Sequence, residues 1–170
     1  MGDPKKPRKN YKTPRNLWQI DQLAKDLNIM GIYGLRNKHE LWKAETELSR
    51  IRKQARMLLA EPIEKRMESE SKLLNSLSRK NIVSSGALLD DVLSLTVENL
   101  LERRLQSVVH RKGIVPTIQM ARQAVVHGHI KIKNRVMNRP GYTVEADEES
   151  TVQLSEGYNL GANKTETVKV

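Results

Sequence analysis

Residues Leu100 to Val144 read LLERRLQSVVHRKGIVPTIQMARQAVVHGHIKIKNRVMNRPGYTV, and three elements can be taken from them. Thr96 can cap a helix that starts near Val97, and Gly113 can close it in the left-handed conformation. Pro116 cannot continue that helix, so Thr117 can cap a second, shorter one ending near Gly128. His129 to Lys133 then alternate polar and apolar, the period of a half-buried strand. Asn134 follows as a turn residue that tolerates positive φ.

Where the basic groups fall matters more than their number. At about 100° per residue along the first helix, Leu101, Leu105, Val108 and Val109 share one side, and Arg103, Arg104, Ser107, His110 and Arg111 gather on the opposite arc. On the second helix Ile118, Ala121, Ala124 and Val125 lie together, opposite Gln119, Arg122 and Gln123. The strand puts His129, Lys131 and Lys133 on one face and Ile130 and Ile132 on the other. If the apolar sides meet, the remaining sides form a positive surface suited to a phosphate backbone. Lys112, His127, Asn134 and Arg135 extend that surface at its turns.

Charge runs are usually solvated faces, but such faces intersperse both signs. Between residues 98 and 139 there are nine Lys/Arg against two acids, Glu98 and Glu102, with three of the chain's four histidines. This imbalance favours RNA or DNA as partner over an acidic protein or a lipid surface.

The stretch resembles the small RNA-binding domain named after the small-subunit ribosomal protein S-four. Arg104-Leu105, Thr117, Ala121-Arg122-Gln123 and His127-Gly128-His129 carry the likeness. Asn37-Lys38-His39-Glu40-Leu41-Trp42-Lys43-Ala44 upstream and Pro140-Gly141-Tyr142 downstream extend it to nearly the whole chain, in the archaeal form of the ribosomal family. Three positions depart from the pattern: Gln106 where Asp is common, Ile118 after the Thr cap, and Lys133-Asn134 in place of Asn-Gly. The resemblance implies a cytoplasmic protein of the small ribosomal subunit that binds its rRNA early in assembly. It implies a place beside ribosomal protein S-five and other small-subunit proteins near the mRNA entry channel, with an influence on decoding accuracy and mRNA itself as a further contact.

Length and composition agree with a polyanionic partner. The 170 residues carry a net charge of +10, and hydrophobic residues make up only 38% with no Phe, which limits the core. No cysteine is present, so disulfides, cysteine-based zinc sites and thiol catalysis fall away together. No apolar run approaches the ~18 residues of a membrane span.

The expected fold class is α+β: a mostly helical N-terminal half, then a compact domain of two helices packed on a small antiparallel sheet. Residues 1–16 form an extended basic arm whose three prolines oppose helix, with Lys5, Lys6, Arg8, Lys9, Lys12 and Arg15 as candidate RNA contacts. Residues 17–96 form a helical domain. A short helix over 17–27 would bury Leu17, Ile20, Leu23, Ala24 and Leu27. Asn37 and Glu40 give a capping-box-like start to a long helix with a seam of Leu41, Ala44, Leu48, Ile51, Ala55 and Leu58. Arg50, Lys53 and Arg56 lie off that seam and are further RNA candidates. Glu61-Pro62 ends it, and a second helix with the stripe Ile63, Met67, Glu70, Leu74 and Leu77 returns antiparallel. Residues 97–156 form the RNA-binding domain, closed by strands at Tyr142–Val144 and Thr151–Leu154. Residues 157–170 are a C-terminal tail, the end of a last stretch of 31 residues that holds six acids against two bases.

Catalysis has no visible site. Neither G-x-G-x-x-G nor G-x-x-x-x-G-K-[ST] occurs, and G-x-S-x-G is absent. His127 and His129 flank a turn without a carboxylate pair nearby, so no metal and no cofactor are expected, nor any small-molecule substrate or membrane. Similar domains are appended to RNA-modifying enzymes and tRNA synthetases, but residues 1–96 offer no catalytic constellation. A free module acting on stalled large subunits is a third possibility, and the long helical half argues against it.

Overall fold

The computed structural model describes residues 9–84 and 86–155, with the side chains of residues 63–65 left aside. Lys5, Lys6, Arg8, the tail at 157–170 and the place of Ile63 on its stripe lie outside the described residues. The fold is α+β, as expected: eight helices and a three-stranded antiparallel sheet among the described residues. No helix among them is long and apolar enough to cross a membrane.

The first helix, α1 (Ile20–Ile32), runs longer than its pattern and faces the opposite way. Ile20 and Leu27 are exposed, Ala24 with them, while Asp26 is the buried residue. The reason is polar pairing. Lys38 reaches Asp26 at 3.6 Å and the Gln22 carboxamide donates to it at 2.9 Å, so the acid turns inward and carries the apolar stripe out. Gly34, at φ +55, reverses the chain.

Next comes α2 (Lys38–Ala60), capped by Asn37, whose side chain accepts from the Glu40 N–H at 3.2 Å. Leu41, Leu48, Ile51 and Ala55 are buried along the expected seam, and Trp42 and Thr46 join them. The seam serves more than one neighbour. α3 (Ile63–Arg79) returns antiparallel, with Lys80 near Glu47 at 3.8 Å, and α4 (Leu89–Ser94) and α5 (Val97–Glu102) pack beside it. The arm is not wholly extended into solvent. Tyr11 stacks on His39 and Trp42, at 4.8 and 5.9 Å between centroids, and the Lys12 N–H donates to Thr46 Oγ1 at 3.0 Å.

The helix expected from Val97 to Gly113 is two helices. α5 ends at Glu102, and α6 (Leu105–Arg111) restarts after an extended Arg104, with φ −71 and ψ 143. No glycine or proline causes the break. The 139–144 segment lies against it: the Leu105 N–H donates to Tyr142 O at 2.7 Å, and the Val144 N–H donates to Arg103 O at 2.9 Å. Thr143 pairs with Arg104 in an isolated bridge, which stands where a strand over Tyr142–Val144 was expected. Backbone groups that a continuous helix would satisfy internally are satisfied across the chain instead.

α7 (Ile118–Val126) begins at Thr117, whose hydroxyl accepts from the Met120 N–H at 3.2 Å, and Gly128 follows at φ +76. A hairpin of β1 (Ile130–Ile132) and β2 (Arg135–Val136) turns on Lys133 and Asn134, both at positive φ. Between them and the last strand lies a short acidic helix, α8 (Ala146–Glu149), and β3 (Gln153–Leu154) closes the sheet in the order β2-β1-β3. Leu105, Val108, Val109, Ala121, Ala124, Val125, Ile130, Ile132, Val144 and Val152 form one buried cluster. At about 25 cal/mol per Å² of apolar surface, this cluster is the main force holding the two helices to the sheet.

Candidate nucleic-acid interface

The residues proposed from the sequence divide into two groups that face different ways. Arg103, Arg104 and Arg122 turn inward. The break before α6 buries Arg103 and Arg104, at 4% and 8% exposure, where a continuous helix would have shown them to solvent. Glu40 receives both remaining guanidiniums: Arg104 Nη2 donates to Oε2 and Arg122 Nη2 to Oε1, each at 2.6 Å. Burial favours the neutral acid, but the bonds from Arg122 and Arg104 outweigh it and hold the Glu40 carboxyl below its usual range. The capping box is therefore half made, because Glu40 gives its backbone N–H to Asn37 and its side chain to the arginines.

Gln106 completes this junction. Its Nε2 lies 3.2, 3.1 and 3.1 Å from the carbonyls of Tyr33, Gly34 and Ile118. An Asp at this position could not donate to any of them. A Cβ on Gly34 would stand 2.8 Å from that same nitrogen. Arg103 serves the other side: Nε donates to Lys80 O at 3.0 Å, and Nη2 pairs with Glu149 at 2.8 Å. Glu149 also takes Arg111 at 2.6 Å. Burial opposes its charge, yet the bonds from Arg103 and Arg111 hold its carboxyl below the ordinary range.

The second group faces out. Gln119, Gln123 and His127 are exposed at successive i, i+4 positions along α7. The His127 ring stacks on His129, 6.0 Å between centroids and 9° from parallel. From there Lys131 stands on the outer face of β1, with His129 before it and Lys133 exposed in the turn after it, while Ile130 and Ile132 are buried on the other face. Thr117 stands exposed at the start of α7 and Asn134 in the hairpin turn, whereas Arg135, paired with Ile132, is exposed on the edge strand on the face opposite Lys131. Lys112 is exposed at the end of α6, its Nζ 3.4 Å from Val152 O. Lys131 and Arg135 have no ion-pair partner among the described residues, and Lys133 has a partly exposed pair with Glu148 at 3.4 Å.

Further cations stand on the helical half. Arg50, Lys53 and Arg56 are exposed on α2 and unpaired among the described residues. Lys9, Lys12 and Arg15 are exposed on the arm, with Lys9 4.8 Å over the Tyr11 ring. A cleft of about 430 Å³ separates α2 from the 138–141 loop, with Lys43, Arg104 and Arg139 among its lining cations and Glu40 and Glu47 among its acids. Sequence reasoning missed Glu40 and Gln106 as the residues that turn the arginines. Glu40 had been visible only as a capping signal, and nothing local marks Gln106. No group of three or more His, Asp or Glu among the described residues could hold a metal ion.

Residues 103–150 match the S4 domain family, and residues 5–102 match the ribosomal protein S4/S9 N-terminal domain family. The chain is 51% identical over 155 residues to the small ribosomal subunit protein uS4 of Hyperthermus butylicus, covering 91% of this chain and 88% of that one. It is similar to the protein of the same name from Ignicoccus hospitalis, 51% over 152 residues, covering 89% and 92%. The corresponding protein of Cenarchaeum symbiosum is 50% identical over 157 residues, covering 92% and 77%.

Proposed function

The chain belongs to the family of small ribosomal subunit protein uS4, and on that premise we propose that it binds small-subunit rRNA through the outward strip of α7 and the hairpin. Members of the family are structural proteins of the cytoplasmic small subunit and not enzymes. The strip from Gln119 through His127 and His129 to Lys131 and Lys133, with Arg135 exposed beside it on the edge strand, is the observation that carries the reading. It joins hydrogen-bonding side chains suited to 2′-hydroxyls with cations suited to phosphates, on elements whose opposite faces are packed. Three of the four acids of α8 and its cap are engaged internally, Glu145 with Arg79, Glu148 with Lys133 and the Tyr142 hydroxyl, and Glu149 with Arg103 and Arg111, while Asp147 is exposed. This reduces their repulsion of an RNA strand.

Arg50, Lys53 and Arg56 would supply a second RNA surface, and the arm residues Lys9, Lys12 and Arg15 a third. Arg103, Arg104 and Arg122 enter the proposal as the groups that fix α6 and α7 against the helical half, rather than as outward phosphate ligands. By family resemblance the protein nucleates subunit assembly. It would also stand beside ribosomal protein S-five near the mRNA entry channel, contributing to decoding accuracy.

The test is salt dependence. Replacing Lys131 and Arg135 by Gln in the full chain should weaken binding to small-subunit rRNA. The slope of log affinity against log salt should become shallower by about one unit per lost phosphate contact. A slope that does not change, with the fold intact by circular dichroism, removes these residues from the interface.

A further inference from the structure

Both tryptophans of the chain line one cavity away from the strip. Trp18 and Leu17 stand on one side of it, Trp42 on α2 on another, and Pro14 and Leu23 complete the apolar lining of about 330 Å³. Trp18 is 85% exposed, a large cost for an indole with nothing over it. Trp42 is the reverse, at 8% exposure, and its buried indole N–H has no hydrogen-bond partner.

A neighbouring groove of about 460 Å³ shares Pro14, Asn16 and Gln22 with this cavity. It adds Lys12 and Arg15 against one acid, Glu45. An apolar slot with an exposed aromatic at its mouth therefore adjoins a groove whose cations outnumber its acids. A nucleobase has flat π-faces for the aromatic, and the phosphates on either side of it would meet Lys12 and Arg15. A hydrophobic protein side chain would fill the slot but leave the cations without a partner. The size is at the lower end for a small-ligand site, which suits one base and not a duplex.

We infer that the cavity between Trp18 and Trp42 holds a single unpaired nucleobase of a bound RNA strand, stacked on Trp18, with the flanking backbone along Lys12 and Arg15. This rests on the RNA-binding reading above and adds a base-stacking contact to a surface that otherwise engages backbone.

Because the chain has no other tryptophan, tryptophan emission, excited where tyrosine does not absorb, reports on this cavity alone. Titrating the full chain with hexaadenylate should quench that emission, whereas an abasic ribose-phosphate hexamer of equal charge should not. Trp18→Ala, an exposed position that leaves the fold intact, should weaken hexaadenylate binding about tenfold, and Trp18→Phe should restore most of it. Equal quenching by the abasic hexamer, or equal hexaadenylate affinity in Trp18→Ala, overturns the inference. If the pocket fails while the Lys131 and Arg135 substitutions still flatten the rRNA salt slope, only the base pocket is lost, and Trp18 belongs to a protein contact. If those substitutions also change nothing, the failure lies with the RNA surface itself.

Discussion

Glu40 lies in the first turn of α2, where the helix dipole already favours an acid. Its carboxylate nevertheless bridges Arg104 and Arg122, which come from elements more than 60 residues away. Removing one member of a largely buried cluster leaves the others charged without a partner, which costs more than the pair contributes. Glu40→Ala should therefore destabilise the chain by about 3 kcal/mol, a melting shift of about 6–12 °C for a protein of this size. The pH dependence has a definite sign. The folded carboxyl titrates below its ordinary value, so its contribution is present above about pH 4.5 and is lost as the pH falls below that. Glu40→Gln should make the acid limb of the stability curve shallower, and Glu148 and Glu149, held low in the same way, should keep some of it. Chemical denaturation between pH 7 and pH 3 measures this. An acid limb as steep as that of the parent protein would mean that Glu40 is not charged in the folded state.

At the scale of elements, the β1–β2 turn has two non-glycine residues in the left-handed region, Lys133 at φ 47 and Asn134 at φ 64. That is the backbone a two-residue hairpin needs, and glycine takes it without strain. Asn134→Gly should therefore raise stability slightly, by up to about 1 kcal/mol, since Asn already tolerates the conformation better than most residues. A decrease in thermal stability would show that the Asn134 side chain holds the turn. The hairpin, α2, α3 and α7 were legible because their signals are local: Asn37 and Thr117 as caps, Pro62 as a breaker, and the alternation of Ile130 and Ile132. The break between α5 and α6 was not legible, because Arg103 and Arg104 have good helical propensity and the cause is the 139–144 segment passing alongside. Reading one helix through that break placed Arg103 and Arg104 on the wrong face. The α1 stripe misled for a related reason. Periodicity identifies which residues share a side, but the buried Asp26–Lys38 pair decides which side turns in. The outward strip of the candidate site was legible from Gln119 to Lys133, whereas the inward arginines needed Glu40, which no local pattern connects to them.

The whole molecule is less divisible than its two family matches suggest. Glu40 and Arg79 reach across to Arg104, Arg122 and Glu145, and Arg103 reaches back to Lys80 O. Gln106 is the most economical place to test this continuity, because one carboxamide serves Tyr33, Gly34 and Ile118 at once. Gln106→Leu keeps the volume and removes the donor, leaving three carbonyls without it, at a cost of about 2 kcal/mol. If the halves fold as one unit, calorimetry should show a single transition lowered by about 4–8 °C, with calorimetric and van't Hoff enthalpies equal. Two separated transitions, one unmoved, would show that the halves melt independently and that the junction is a contact between finished domains. The distinction bears on RNA binding. A single cooperative unit fixes the spacing between the α7 strip and the cations of α2 before RNA arrives, so the protein can select a preformed RNA shape without paying for its own ordering.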